Sequence, residues 1–267
     1  MTPASTVLKA ALESRVLKRS WLYSVYLPAG YEHSNATYPT LYLLHARGGD
    51  TTSWLKGGIR QILDALIAAA EIPALIAIMP AAAESYYVDG LEPFETAFIK
   101  DLVPEIDERF RTIQTRSQRI LAGCSMGGYG ALRYALEYPE LFGAAILLSP
   151  AVYEAQPPPG SSTRTVGAFG VPFDPALWTA RNYPTALERF RATDLETRFF
   201  IVAGDDEYAN PDGFLHDLDV QAVHLFARLR HAGVRVQLRI RAGGHGWEVW
   251  MPGLTEGLAS WAFIFGG

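Results

Sequence analysis

A single α/β domain on a mostly parallel sheet is what this 267-residue chain predicts. Three observations point there. Short apolar runs alternate with segments whose apolar residues recur at helical spacing. One of the runs, Thr40 to Ala46, is apolar continuously rather than at every second position, as expected of a central strand covered on both faces. Most of them stop at glycine, proline or serine, the residues that turn a chain over a sheet edge.

The first readable strand is Trp21 to Leu27, WLYSVYL, closed by Pro28-Ala29-Gly30. Residues 31–39 read as a loop, and TLYLLHA, Thr40 to Ala46, as a central strand. Ile59, Ile62, Leu63, Leu66, Ile67 and Ala70 mark one helix face, and Ala74 to Met79 is the next strand. Residues 81–93 read as a loop. Leu102, Val103, Ile106 and Phe110 belong to a helix that Pro104 should bend. A strand at Ile120 to Cys124, a helix at Ala131 to Tyr138 and a strand at Ala144 to Leu148 follow. From Ser149 to about Glu188 the pattern lapses into proline-rich loop chemistry. So long an irregular stretch predicts a lid or substrate-binding insertion at about 150–190 in a single domain spanning 1–267. Strands at Arg198 to Ala203 and Val234 to Ile240 flank a helix at about 220–230, and a closing helix covers Leu254 to Phe265. Right-handed crossovers are expected throughout.

Composition narrows the function classes. With 23 basic and 28 acidic side chains the formal charge is −5, which opposes attraction to nucleic acid or to an anionic membrane. An apolar fraction of 49% argues against disorder. The single cysteine, Cys124, allows neither an intrachain disulfide nor a cysteine-rich zinc site. No signal peptide is visible at the start, which favours a cytoplasmic protein, while a mature secreted form stays open. The oligomeric state is not readable.

The chemistry concentrates at strand ends. Gly123-Cys124-Ser125-Met126-Gly127 lies where a strand hands over to a helix. A strained turn there exposes a serine hydroxyl and needs small neighbours two positions before and after it. Ser125 is the candidate nucleophile, and the Met126 N–H, at the helix start, is a candidate oxyanion donor. The bland alternative is a buried serine in a glycine-rich turn. Cys124, one residue off the apex, reads as packing. A serine needs a base. Of six histidines, His245 follows the last strand on a glycine-flanked loop, RAGGHGWEVW. The acid is expected in Gly204-Asp205-Asp206-Glu207-Tyr208, with Asp206 preferred, Glu207 second and Asp205 third. The second oxyanion amide is expected from Arg47 in the loop HARGG.

These residues carry a family resemblance. YSVYLPAGY (23–31), LYLLHARGGDTTSW (41–54), GCSMGGYGALRYALEYPELF (123–142), GDDEY (204–208) and GGHGWEVW (243–250) resemble the esterase family of α/β-hydrolases. That family holds esterase D, S-formylglutathione hydrolase, feruloyl and acetyl-xylan esterases and the antigen 85 mycolyltransferases. The resemblance implies an α/β-hydrolase fold with helices on both faces of the sheet. It implies Ser125 as nucleophile, His245 as base, an acid within 205–207 and oxyanion amides at Met126 and Arg47. A pattern ending in Asp-Glu-Tyr aligns its acid with Asp206, and Trp247 and Trp250 should pack the histidine loop. Two departures stand out. The family reads HGxGG where this chain has Ala46, and often places Asp after the histidine where this chain has Gly246.

The expected function is a serine carboxylic ester hydrolase working through an acyl-enzyme, with no cofactor and no metal. Its partner would be a small to medium ester, aromatic or sugar-linked esters among them. His45, Tyr86, Tyr87, Tyr153 and Trp178 are candidate substrate-binding residues, and Phe169, Phe173 and Tyr183 add to the aromatic content of the insertion. Arg47 and Arg164 are candidate anion contacts. An acyltransferase or thioesterase would use the same serine. An inactive binding protein on this scaffold is the remaining alternative.

Overall fold

The computed structural model describes residues 4–207 and 210–265, with side chains through 262. Eight strands form one sheet: β1 (Thr6–Ser14), β2 (Arg19–Leu27), β3 (Thr40–Leu44), β4 (Ile76–Pro80), β5 (Arg119–Cys124), β6 (Ala144–Leu148), β7 (Arg198–Gly204) and β8 (Val236–Arg241), in the spatial order β1-β2-β4-β3-β5-β6-β7-β8. β2 pairs antiparallel with β1 and β4, and the six strands from β4 to β8 run parallel. This is the mostly parallel sheet of an α/β-hydrolase.

The central strands explain why their sequence shows no alternation. In β3, Tyr42 and Leu44 pack into one core layer and Leu41 and Leu43 into the other, all four fully buried. Helices α1 (Ser53–Lys56) and α2 (Ile59–Ala68) cover the second face together with the closing helix. On the first face lie α3 (Phe94–Ala97), α4 (Val103–Arg109), α5 (Met126–Glu137), α6 (Pro175–Arg181), α7 (Tyr183–Arg191) and α8 (Leu218–His231). The closing helix, α9, runs from Trp247 to Phe265. A π-helical turn at Phe98–Leu102 joins α3 to α4. It widens the helix just ahead of Pro104, whose missing N–H and bulky ring an unbroken α-helix would not accommodate.

Two expectations change, and one strand joins the sheet that the sequence pattern did not single out. β1 has helix-favouring residues, with Ala10, Ala11, Leu12 and Glu13 in a row. It is nevertheless a strand, because the edge of β2 offers it nine paired positions from Thr6↔Leu27 to Ser14↔Arg19. The stretch after β6 is not irregular throughout: its prolines start helices. Pro175 follows the N-cap Asp174, whose carboxylate accepts from the Ala176 and Leu177 amides, and Pro184 sits in the first turn of α7. Finally, α9 begins at Trp247 rather than Leu254, with Pro252 inside it. His245 therefore stands immediately before a helix instead of on a long loop.

Candidate active site

Every candidate catalytic group sits at the C-terminal end of a parallel strand, where such sheets open their ligand crevice. Ser125 is the residue between β5 and α5, with φ 54° and ψ −116°, a conformation that a side chain rarely adopts and that only surrounding structure can hold. Its neighbours explain how it is held. A Cβ on Gly123 would run into the Gly127 carbonyl, and one on Gly127 into the Leu44 carbonyl. Two glycines thus let β5, the first turn of α5 and the end of β3 cross at backbone distance. The Ser125 amide donates to Leu148 O at 2.8 Å and its carbonyl accepts from Ala151 N at 3.0 Å, tying the turn to β6. Met126 opens α5, so its N–H has no acceptor within the helix. Cys124 is fully buried, and burial pushes its thiol up to about 12, which makes it inert packing.

His245 lies across a cleft of about 500 Å³ from these groups, and Ser125 lines the same cleft. Its Nδ1 is 3.0 Å from Glu207 Oε2. This corrects the preference for Asp206. Beyond Gly204 the chain turns tightly, so that Asp205 and Asp206 face solvent while the fourth residue of the turn, Glu207, folds back beneath the strand end with 3% exposure. The Gly204 amide donates to Glu207 Oε1 at 2.6 Å. Asp205 takes a structural role instead, accepting from Gly243 N at 3.0 Å, and the Asp206 amide donates to Gly243 O at 3.0 Å. The sequence signal was the spacing: a residue three beyond the strand's last glycine returns under it. Tyr208, which ends the GDDEY segment, lies outside the described residues.

Sequence reasoning missed Ser149. It is fully buried just past β6, and its hydroxyl donates to Glu207 Oε1 and accepts from Trp250 Nε1 at 2.9 Å. Trp250 also meets the His245 ring edge-on, at 5.1 Å between centroids, and packs against Trp247, as the histidine loop requires.

The loop after β3 answers the question raised by Ala46. Gly48, at φ 72°, takes the left-handed position, and Ala46 is not among the residues with positive φ, so the methyl group is tolerated. Ala46 and Arg47 line the cleft. The Arg47 side chain is exposed and paired with Glu84 at 3.3 Å. His45 is not a cleft residue. It is 1% exposed; its Nε2 accepts from Ala82 N at 3.0 Å, which obliges Nδ1 to donate to Ala46 O at 2.7 Å. Burial pulls its pKa down and keeps it neutral.

Among the aromatic candidates, Tyr86 and Tyr153 line the cleft. Tyr86 is held by its hydroxyl at 2.8 Å from Thr163 Oγ1. Tyr87 turns away and donates to His45 O at 3.2 Å, packing on the backbone of α5 at Gly130. Trp178 is 1% exposed, its Nε1 donating to Ala155 O at 2.6 Å and its ring packed on Phe169 and Tyr129. Tyr183 is buried as well, and Phe173 lies under the Arg164 guanidinium at 4.4 Å. Arg164 also donates to Pro157 O at 2.8 Å, so it braces the insertion and does not address the cleft. Among the described residues no cluster of three or more metal-capable side chains occurs, and no helix is long and apolar enough to cross a membrane.

A profile of the family described as "Putative esterase" matches residues 14–261. The chain belongs to this esterase family. It is 37% identical over 141 residues to an endo-1,4-beta-xylanase/feruloyl esterase of Xylanibacter ruminicola, covering 49% of this chain and 19% of that protein. An esterase of Mycobacterium tuberculosis is 29% identical over 255 residues, or 83% of this chain and 52% of the relative. The chain thus spans about half or less of the length of these curated relatives. A solved ferulic acid esterase superposes with a TM-score of 0.80 at 28% identity, covering 98% of this chain and all of that one. A serine hydrolase of Staphylococcus aureus, FphF, shares the fold with a TM-score of 0.80 at 20% identity over 97% and 98% of the two chains.

Proposed function

We propose that this esterase-family chain hydrolyses carboxylic esters through an acyl-enzyme on Ser125, with His245 as base and Glu207 as acid. One observation carries the reading: a serine at a strained strand-to-helix turn shares a cleft with a histidine whose far nitrogen meets a buried carboxylate. His245 Nδ1–H donates to Glu207, which fixes the tautomer in which Nε2 is the proton acceptor. Nε2 removes the Ser125 proton as Oγ attacks the carbonyl carbon. The amides of Met126 and Arg47 hold the oxyanion. His245 then protonates the alcohol as the C–O bond breaks, and water repeats the two steps to release the acid and regenerate Ser125. The Glu207 carboxylate balances the imidazolium.

The cleft supports an acyl or alcohol group with an aromatic face. Tyr86 and Tyr153 offer ring surfaces, while Ser161, Ser162 and Asn210 add polar edges. Similarity to a feruloyl esterase and to a ferulic acid esterase agrees with that preference.

The test is turnover of p-nitrophenyl esters from acetate to octanoate, and of methyl ferulate and methyl octanoate, by the wild type and Ser125→Ala. The variant should lose at least about a thousandfold in kcat, given what removal of a catalytic serine costs in related chemistry. Equal turnover by both proteins ends the proposal. Methyl ferulate turned over no better than methyl octanoate, which has the same alcohol, removes the aromatic acyl preference alone.

A further inference from the structure

The group behind Glu207 is built with more constraint than packing needs. Ser149 has φ 44°, a left-handed backbone on a non-glycine residue, and its amide donates to Val202 O at 2.6 Å, which staples the end of β6 to β7. Indole N–H groups only donate, so at 2.9 Å from Trp250 Nε1 the Ser149 oxygen must accept. Its single proton is thereby directed to Glu207 Oε1. That oxygen receives a second donor from Gly204 N at 2.6 Å, leaving Oε2 to face His245 Nδ1 at 3.0 Å. The chain of donors runs Trp250 to Ser149 to Glu207, and enters from α9, β6 and the β7 turn, three separate parts of the fold.

The identity of the acid gives this chain its purpose. Glutamate has one more rotatable bond than aspartate, so its carboxylate has more orientations to lose before it can serve a histidine. Two donors on one oxygen fix both the plane and the position of the other.

We propose that Ser149, oriented by Trp250, is a positioning residue that sets the Glu207 carboxylate for His245, so that its hydroxyl acts on catalysis and only through Glu207. The inference rests on the reading of Ser125, His245 and Glu207 as the reacting group.

Steady-state kinetics with p-nitrophenyl acetate test it on wild type, Ser149→Ala, Trp250→Phe, Glu207→Ala and the two double variants carrying Glu207→Ala. Ser149→Ala should lower kcat by about 10- to 100-fold with KM within about twofold, the pattern of an interaction felt mainly in the transition state. Trp250→Phe, which keeps the ring beside His245 and removes only the donor, should lower kcat by about 3- to 10-fold. In the Glu207→Ala background neither substitution should cost more than about twofold, because groups acting through one carboxylate are non-additive. Wild-type kcat in Ser149→Ala overturns the proposal, as do losses that multiply with that of Glu207→Ala. Should Ser149→Ala fail to fold by thermal melt, Trp250→Phe and its double variant decide by the same criteria. Ser125→Ala separates the two levels. If it is as active as wild type, the hydrolase reading falls; if it is silent while Ser149→Ala is unimpaired, only the positioning role falls.

Discussion

Two segments rise over the cleft, and they are built in opposite ways. The one after β6, residues 150–191, sinks Phe169, Trp178 and Tyr183 into an aromatic cluster against α5. Its backbone is tied down too: Arg181 O accepts from Tyr129 Oη at 2.7 Å and from Arg133 Nη1 at 2.8 Å, and Asn182 Nδ2 reaches Tyr153 O at 2.8 Å. Among its described residues the one after β7 is buried at its root, where Glu207 meets His245. Farther along, Phe214 is 70% exposed and Leu215 52% exposed. The proline-rich segment is therefore packed as a wall against α5. The acidic segment is hydrogen-bonded and buried at Glu207 and exposed at Phe214 and Leu215.

The sharpest way to break this comparison is at the root of the second segment. Glu207→Ala should lower kcat by about 10³–10⁴-fold, in line with loss of a triad acid, whereas Asp206→Asn should change it less than about twofold. Steady-state rates of the two variants measured side by side decide, and a reversed order returns the acid to Asp206. Next in size, Trp178→Ala should destabilise the protein by about 3–5 kcal/mol in a denaturant titration, as for other buried aromatic truncations. A loss under about 1 kcal/mol would show that the wall is not welded.

A smaller effect concerns pH. His45 is buried neutral with a pKa below its ordinary value of 6.5, so the unfolded chain binds its proton more readily than the folded one. Its contribution to stability is complete above about pH 6.5 and shrinks as pH falls through the window between that value and the lowered one. His45→Gln should flatten the slope of stability against pH in that window, measured by urea midpoints at half-unit steps. An unchanged slope would assign the acid sensitivity elsewhere. Smallest of all, Phe214→Ser should move stability by no more than about 0.5 kcal/mol, as exposed positions do. A larger loss would mean that the tip is packed after all.

The parts that were legible in the sequence are those where local pattern and tertiary demand agree. Ser125 and His245 stand at strand ends marked by glycines, and the central parallel strands are apolar because both their faces are covered, unlike β8 at the edge. Legibility failed where a distant partner decides. β1 has helix-favouring residues and becomes a strand only because β2 lies open beside it. Asp206 and Glu207 are both acids in one turn, and which of them folds inward depends on the Gly204 amide and on Ser149, 58 residues earlier in the chain. Tyr87 is the same residue type as its neighbour Tyr86, yet only Tyr86 lines the cleft, and Trp178 is as aromatic as Tyr153 but is covered by Phe169 and Tyr129.

The clasp made by His45 carries a lesson for redesign. One imidazole grips the loop that offers Arg47 and the loop that leads to Tyr86, so these two stretches shift as a pair. Inserting or deleting residues between Ala82 and Tyr87 would pull on the backbone beside Arg47, the amide proposed to receive the oxyanion. The tip at 210–216 has a clasp of its own: buried Gln221 donates to Leu215 O and accepts from Glu154 N at 3.0 Å, so a library placed there would bear on the wall after β6 rather than on His45.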